Sequence, residues 1–309
     1  MFEERMLFLL KLYSSLIVLS VIWGASFLFN ELLLDEINPY GIVFGRSFFG
    51  FVFLMIFAIW KKEKLFDSSF PFLFFILIAL INNTIPWTLI PFSQEYISTG
   101  LASILNALTP LMTIIVGMVF FKTKLVKKQY VGVFIGLVGI FILIDLPSIF
   151  NGGNQLIGAI LLIMATIMYA TSNHLTKKFL SEVSVIQLSL YTMFFTALMS
   201  FIITIISGQK MNVFLHLDNV AIFVGLGVFG SGVAYLLYYF MIQKGSAEFA
   251  SLVTYLVPIS AIMWGIIFLE EQITIQMIIG LVVIFSGVYI STTVKKTNDI
   301  EITEEREGA

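Results

Sequence analysis

Two evenly spaced rows of small and polar residues interrupt an otherwise oily chain. Ser103, Asn106, Pro110, Thr113 and Gly117 recur at alternating intervals of three and four, which puts them on one face of a helix. Ser251, Thr254, Pro258, Ala261 and Gly265 repeat the row at an offset of 148 residues. Hydroxyls and amides of this kind hydrogen-bond a solute or water, but they do not exchange protons near neutral pH. A face turned to lipid is large and apolar, so a small polar face marks either close helix packing or the wall of a water-filled cavity. Pro110 and Pro258 each release a backbone carbonyl one turn earlier, which is tolerated only beside protein or water, and both are expected to be structural.

Other polar side chains lie inside apolar runs. They are Trp23 and Ser26, then Asn82, Asn83 and Trp87, then Tyr169, then Ser231 and Tyr235 with Tyr238 nearby, and Tyr255 beside Thr254. An amide buried in hydrocarbon is costly without a partner, so Asn83 and Asn106 are expected to face the interior. Tyr and Trp are better cavity candidates than the 32 Phe, because each carries a polar atom that needs a partner. The expected substrate cavity is therefore lined by Trp23, Ser26, Asn82, Asn83, Trp87, Ser103, Asn106, Tyr169, Ser231, Tyr235, Thr254 and Tyr255. Polar but uncharged walls with aromatics suit a neutral, zwitterionic or amphipathic solute.

The missing groups narrow the chemistry. The chain has no Cys, which removes thiolate catalysis, disulfides and Cys-based metal sites. His174 and His216 are its two histidines, and no carboxylate cluster accompanies either. Every Asp and Glu is expected in a loop, a tail or near a helix end. No catalytic residue, metal site or cofactor is expected. Arg46 is the single charge placed deep in a run, and three readings remain open: a side chain that snorkels to the interface, a structural ion pair, or a contact for an anionic substrate.

The elements that carry these residues follow from composition. Of 309 residues, 59% are hydrophobic and 12% charged, whereas soluble domains carry charge on roughly a quarter of their residues. Ten apolar runs are long enough to cross a bilayer: 12–30, 41–60, 70–90, 97–121, 130–144, 156–173, 185–207, 219–241, 247–269 and 275–293. The first continues past the weak cleavage echo at Ala25-Ser26, so it reads as an uncleaved span. Placing the N-terminus in the cytoplasm puts 15 of the 17 Lys and Arg in cytoplasmic segments, with Lys210 alone outside and Arg46 within a span. Both termini are then cytoplasmic and the protein is a multi-pass protein of the cytoplasmic membrane. The net charge of −2 gives no reason to expect nucleic acid as a partner.

The two polar rows belong to a larger self-similarity, which includes Ala102/Ala250, Ser103/Ser251, Pro110/Pro258, Gly117/Gly265, Gly132/Gly280 and Gly139/Gly287. Five spans per unit force the second copy to insert upside down. The charges agree, since Lys122, Lys124, Lys127 and Lys128 correspond to Glu270, Gln272, Ile275 and Gln276. The expected fold is an all-α membrane protein of ten transmembrane helices arranged as two inverted five-helix repeats, 1–149 and 150–294, followed by a disordered cytoplasmic tail, 295–309. Gly132, Gly136, Gly139, Gly280 and Gly287 read as a close-packing face of the last span in each half.

On Ile22-Trp23-Gly24-Ala25-Ser26-Phe27, Arg46, the Ala-Ser, Pro and Gly of each half, and Leu269-Glu270-Glu271-Gln272-Ile273-Thr274, the sequence resembles the EamA family of the drug/metabolite transporter superfamily. Lys122-Thr123-Lys124 departs from that pattern, where such proteins often carry a Glu. The resemblance implies a ten-helix inverted-repeat carrier with a cavity between spans one, three, four, six, eight and nine. It also favours export, and a structural role for Arg46. The expected function is a secondary transporter that moves a small organic metabolite or drug-like solute, such as an amino acid, by alternating access. A channel and a membrane-embedded enzyme are the alternatives. Expected partners are the small-molecule substrate and the lipid bilayer, and the sequence is equally compatible with a monomer and a homodimer.

Overall fold

The computed structural model describes residues 2–63, 71–123, 125–143, 154–180, 182–244 and 253–292. The tail 295–309, Ser251 and the start of the expected ninth span lie outside the described residues. Those described fold into helices and turns without a strand. In order they are α1 Phe2–Leu34, α2 Pro39–Trp60, α3 Phe72–Ile78, a π-helical segment Ala79–Thr84, α4 Ile85–Gln94, α5 Thr99–Asn106, α6 Thr109–Phe120, α7 Lys127–Leu143, α8 Gln155–Phe179 and α9 Val185–Ile206. A 3₁₀ turn Met211–Leu215 leads into α10 Leu217–Phe223, a second π-helical segment Val224–Val233, α11 Ala234–Lys244, α12 Val253–Leu269 and α13 Ile275–Thr292.

Seven helical stretches are long and apolar enough to cross a membrane: 9–34, 39–60, 72–94, 99–120, 155–179, 185–206 and 217–238. The helices α7, α12 and α13 are shorter, at 17, 17 and 18 residues. At 1.5 Å per residue, 17 residues reach about 26 Å, the lower limit for the hydrocarbon layer. Large apolar side chains such as Phe134, Phe141 and Val282 expose most of their surface, so this outer face needs lipid as its solvent. The first helix runs longer than its apolar stretch at both ends, so Glu31 stands inside α1.

Helix contacts pair in a regular way. The last helices α7 and α13 pack along each other, as do α2 and α9. α1 packs on α12, and α6 packs on α8; α1 also meets α11, and α8 meets α4. α2 lies against the second π segment, and α9 against the first. Each contact thus has a partner contact in which every helix is exchanged for its counterpart in the other half. The π segments also coincide at the offset of 148, because Ala79–Thr84 maps within Val224–Val233. Lys122 and Glu270, a further equivalent pair, both take the left-handed value φ 54°. The amides that follow return to the same place, Thr123 N–H to the Gly117 carbonyl at 3.0 Å and Glu271 N–H to the Gly265 carbonyl at 3.1 Å.

The second half differs there in one respect. Gly265 leaves room for the Glu271 side chain. Its carboxylate accepts from the Thr99 and Gly100 amides, at 2.6 and 3.0 Å, and so caps α5 of the first half. Gln94 braces the same corner, donating to the Phe27 carbonyl at 2.9 Å and accepting from Asn30 at 3.3 Å. The turn after α1 is tied to the entry of α10 by Glu36, which accepts from Asn219 at 2.8 Å and contacts His216 at 3.1 Å. Hydrogen bonds from Asn219 and then His216 hold the Glu36 carboxyl below its ordinary range. This tie is therefore formed at neutral pH and is lost as pH falls through that lowered value.

The close-packing face expected from the glycines is present between α7 and α13. A β-carbon on Gly287 would lie 2.5 Å from the Gly136 nitrogen and 2.7 Å from the Gly132 carbonyl oxygen, and one on Gly132 would lie 2.6 Å from the Gly287 carbonyl. Both obstacles are backbone and cannot rotate away. Gly287→Leu should therefore cost at least the roughly 1–3 kcal/mol of an overpacked core site. The check is the melting temperature of detergent-purified protein beside the lipid-facing control Ile279→Leu. A Gly287→Leu variant that melts with the parent would mean the two helices do not meet there.

Candidate functional site

The second π segment creates the site. A π turn breaks the i to i−4 ladder and releases carbonyl oxygens, which is why such turns recur at functional positions. Here the Gly230 carbonyl accepts from the Trp23 indole at 3.2 Å and from Arg46 Nη2 at 3.4 Å. Arg46 Nε donates to Ser231 Oγ at 3.0 Å, and the guanidinium lies 3.9 Å over the Trp87 ring. Gly50 and Gly227 allow this approach: a β-carbon on Gly227 would lie 2.7 Å from the Arg46 carbonyl and 3.0 Å from the Gly50 nitrogen.

Aromatic and amide groups complete a connected shell. Trp87 donates to the Tyr169 hydroxyl, and Tyr169 and Tyr235 both lie within electrostatic reach of Arg46. Tyr235 is hydrogen bonded to Asn82, whose amide donates to Asn83 Oδ1 at 2.9 Å. The Trp23 ring packs on Tyr238 at 5.6 Å, and Ser26 lies against Gly230. Trp87, Asn83 and Ser231 are buried, whereas Trp23, Arg46, Asn82, Tyr169, Tyr235 and Tyr238 keep partial exposure although protein surrounds them.

Two buried amide atoms near the middle of the chain's spans lack a partner among the described residues: Asn83 Nδ2 and Asn106 Oδ1. Unpaired buried polar atoms are rare in folded proteins and call for a reason. The Asn106 main-chain carbonyl, freed by Pro110, is taken by Thr109 Oγ1 at 2.8 Å. Between α5 and α6 the chain turns at Ala107 and Leu108, so the expected single stripe is carried by two helical pieces.

The structure brings Trp23, Ser26, Arg46, Asn82, Asn83, Trp87, Tyr169, Ser231 and Tyr235 into one contiguous group. Ser103 is fully buried and donates to the Gly100 carbonyl at 2.7 Å within its own helix. Tyr255 packs edge-on against Phe285 at 5.0 Å. It lines an outer groove of about 620 Å³ with Leu16, Leu256, Val282, Phe285, Ser286 and Tyr289. Thr254 and Pro110 are half-buried, and Pro258 is buried within α12. Two features escaped the sequence. One is His174, which sits 3.0 Å from the Thr113 carbonyl and stacks on Phe121 at 4.6 Å. The other is the corner of Gln94, Glu31 and Glu271, to which the Glu-Glu pair after the ninth run was the available signal.

A helical bundle with an apolar outer surface and a connected group of polar and aromatic side chains between its helices defines a multi-pass membrane protein. The profile of the EamA-like transporter family matches residues 10–145 and again residues 156–293, and the chain belongs to that family. It is similar to an uncharacterized transporter of Archaeoglobus fulgidus, 23% identical over 91% of this chain and 97% of the relative. The uncharacterized transporter YoaV of Bacillus subtilis is 19% identical over 92% and 97% of the two chains. Protein PecM of Dickeya dadantii is 25% identical over 69% of this chain and 71% of its own. A solved crystal structure shares the fold, with a TM-score of 0.65 at 13% identity over 92% of this chain and 96% of that one. The family and the relatives from Archaeoglobus fulgidus and Bacillus subtilis are named as transporters, not enzymes, and the protein is a membrane transporter of small solutes.

Arg46 clamps α2 to the π segment through two hydrogen bonds and a stacked ring, a geometry a lysine does not reproduce. Arg46→Leu should lower the detergent melting temperature by several degrees, and Arg46→Lys by less, because the ammonium keeps the charge over Trp87. A Leu variant as stable as the parent would show that the clamp contributes nothing.

Proposed function

We propose that the protein is a secondary transporter of the cytoplasmic membrane with ten crossings in two inverted five-helix repeats. It moves a small organic solute by alternating access, with export as its direction. The observation that carries this reading is the exchange of helix pairings: the contacts of α1 with α12 and α11, and of α2 with the second π segment, recur with their members replaced by their counterparts. Such pairwise exchange is what lets inverted repeats take up two arrangements related by a pseudo-two-fold around a fixed central site. The doubled family match, the coincident π segments and the shared cap at Lys122 and Glu270 support it further. The solute lies at the centre, against Trp23, Trp87, Tyr169 and Tyr235, with Asn83 and Asn106 offering hydrogen bonds. The direction rests on the family resemblance and the sidedness on the distribution of Lys and Arg.

Two measurements test this. In the cysteine-free parent, Asn154→Cys should react with an impermeant thiol reagent from outside intact cells and Lys128→Cys should not; the opposite labelling would overturn the orientation. In proteoliposomes, a solute identified by thermal-shift screening should show saturable counterflow. A neutral hydrogen bond contributes about 0.5–1.5 kcal/mol, so Asn83→Ala and Asn106→Ala should each raise the half-saturating concentration by up to about tenfold. The outward-facing Leu198→Ala should leave it unchanged. Flux that does not saturate and shows no counterflow would make the protein a channel.

A further inference from the structure

Arg46 carries a charge about two turns inside α2, and among the described residues no carboxylate pairs with it. Its hydrogen-bond and ring partners are a hydroxyl, a carbonyl and a ring face, all neutral. Those bonds use Nε and Nη2. Nη1 makes no hydrogen bond among the described residues, yet the side chain retains exposed surface inside the bundle. A cation enclosed by protein and lipid creates a standing positive potential that neutral dipoles only partly offset. Beyond Tyr235 and Asn82, Asn83 Nδ2 is a second donor without a partner among the described residues, fully buried.

From this, and resting on the transporter reading above, we infer that the transported solute is an organic monoanion whose carboxylate pairs with Arg46 Nη1, while its apolar body lies against Trp23 and Tyr238. Charge counting selects the class. Among the described residues Arg46 is the only Lys or Arg more than two residues inside a stretch long and apolar enough to cross the membrane, so one negative charge is neutralised and a phosphate dianion is left half-compensated. A cationic solute would meet a fixed positive charge, and the described site places no acid against it. A neutral solute would leave the guanidinium uncompensated. A carboxylate satisfies the planar guanidinium edge and gains the strength of a charge-assisted bond.

The stacked Trp87 supplies a readout. Intrinsic fluorescence of the full chain in detergent is titrated at neutral pH with 4-methylpentanoate, its amide 4-methylpentanamide, and 3-methylbutylamine. The carboxylate should bind at least about tenfold tighter than the amide, the margin of a charge-assisted over a neutral bond, and the amine should be weakest. Arg46→Gln should abolish the preference, and Arg46→Lys should keep part of it, which guards against a folding defect in the Gln variant. Trp87→Phe should remove most of the signal. Equal binding of amide and carboxylate, preference for the amine, no binding of any probe, or a preference that survives in Arg46→Gln would each overturn the assignment. Counterflow of the same compounds separates this failure from failure of the carrier reading. Saturable counterflow indifferent to charge removes the anion subsite and keeps the carrier. Carboxylate binding without counterflow removes the carrier and keeps the subsite.

Discussion

A carbonyl oxygen released by a π turn inside a membrane protein must find its donor within the protein, because lipid supplies none. At Gly230 it finds two on other helices, Trp23 from α1 and Arg46 from α2. That requirement ties three helices together. It also accounts for the residue types nearby. Gly227 and Gly50 are small so that the backbones approach, Ser231 is polar to receive Nε, and Trp87 is aromatic to cover one face of the guanidinium. The first π segment meets the same demand differently: the Ala79 carbonyl accepts from Thr84 at 3.0 Å and from Thr196 at 3.4 Å. Hydroxyls there and a guanidinium here make the two halves chemically unequal around one backbone device.

Much of the architecture was legible in the sequence because bilayer thickness and helical rise leave few options. Apolar runs bounded by charge located the helices to within a few residues, and the glycines spaced by seven located the α7–α13 contact. The π turns were not legible. They depend on one extra residue accommodated in each ladder, and neither Asn82-Asn83 nor Gly230-Ser231 announces that choice locally. The same gap hid the role of Arg46. From sequence it read as a snorkelling side chain, a structural ion pair or an anion contact, whereas the structure gives it carbonyl, hydroxyl and ring partners and no acid among the described residues.

The candidate site was partly legible for a related reason. Polarity inside an apolar run often marks a residue that faces other helices, and eight of the twelve side chains expected to line a cavity lie in one connected group with Arg46 and Gly230. Polarity does not say which interior is meant. Ser103 satisfies itself on its own helix backbone, and Tyr255 turns toward Phe285 at the edge of the bundle. Such outcomes depend on which rotamer finds a partner in three dimensions, and helical spacing carries no information about that.

The carboxylate of Glu271 belongs to one half of the molecule and grips the first amides of a helix in the other. Its counterpart by sequence is Thr123, a hydroxyl with no charge to offer a helix end. In the alternating cycle proposed above, two arrangements related by near-symmetry therefore differ in free energy. The one that keeps this latch gains charge-assisted bonds that its counterpart lacks, and a difference of about 1.4 kcal/mol already makes one shape ten times as populated as the other. On that reading the shape preferred without cargo is set by a single residue of one loop.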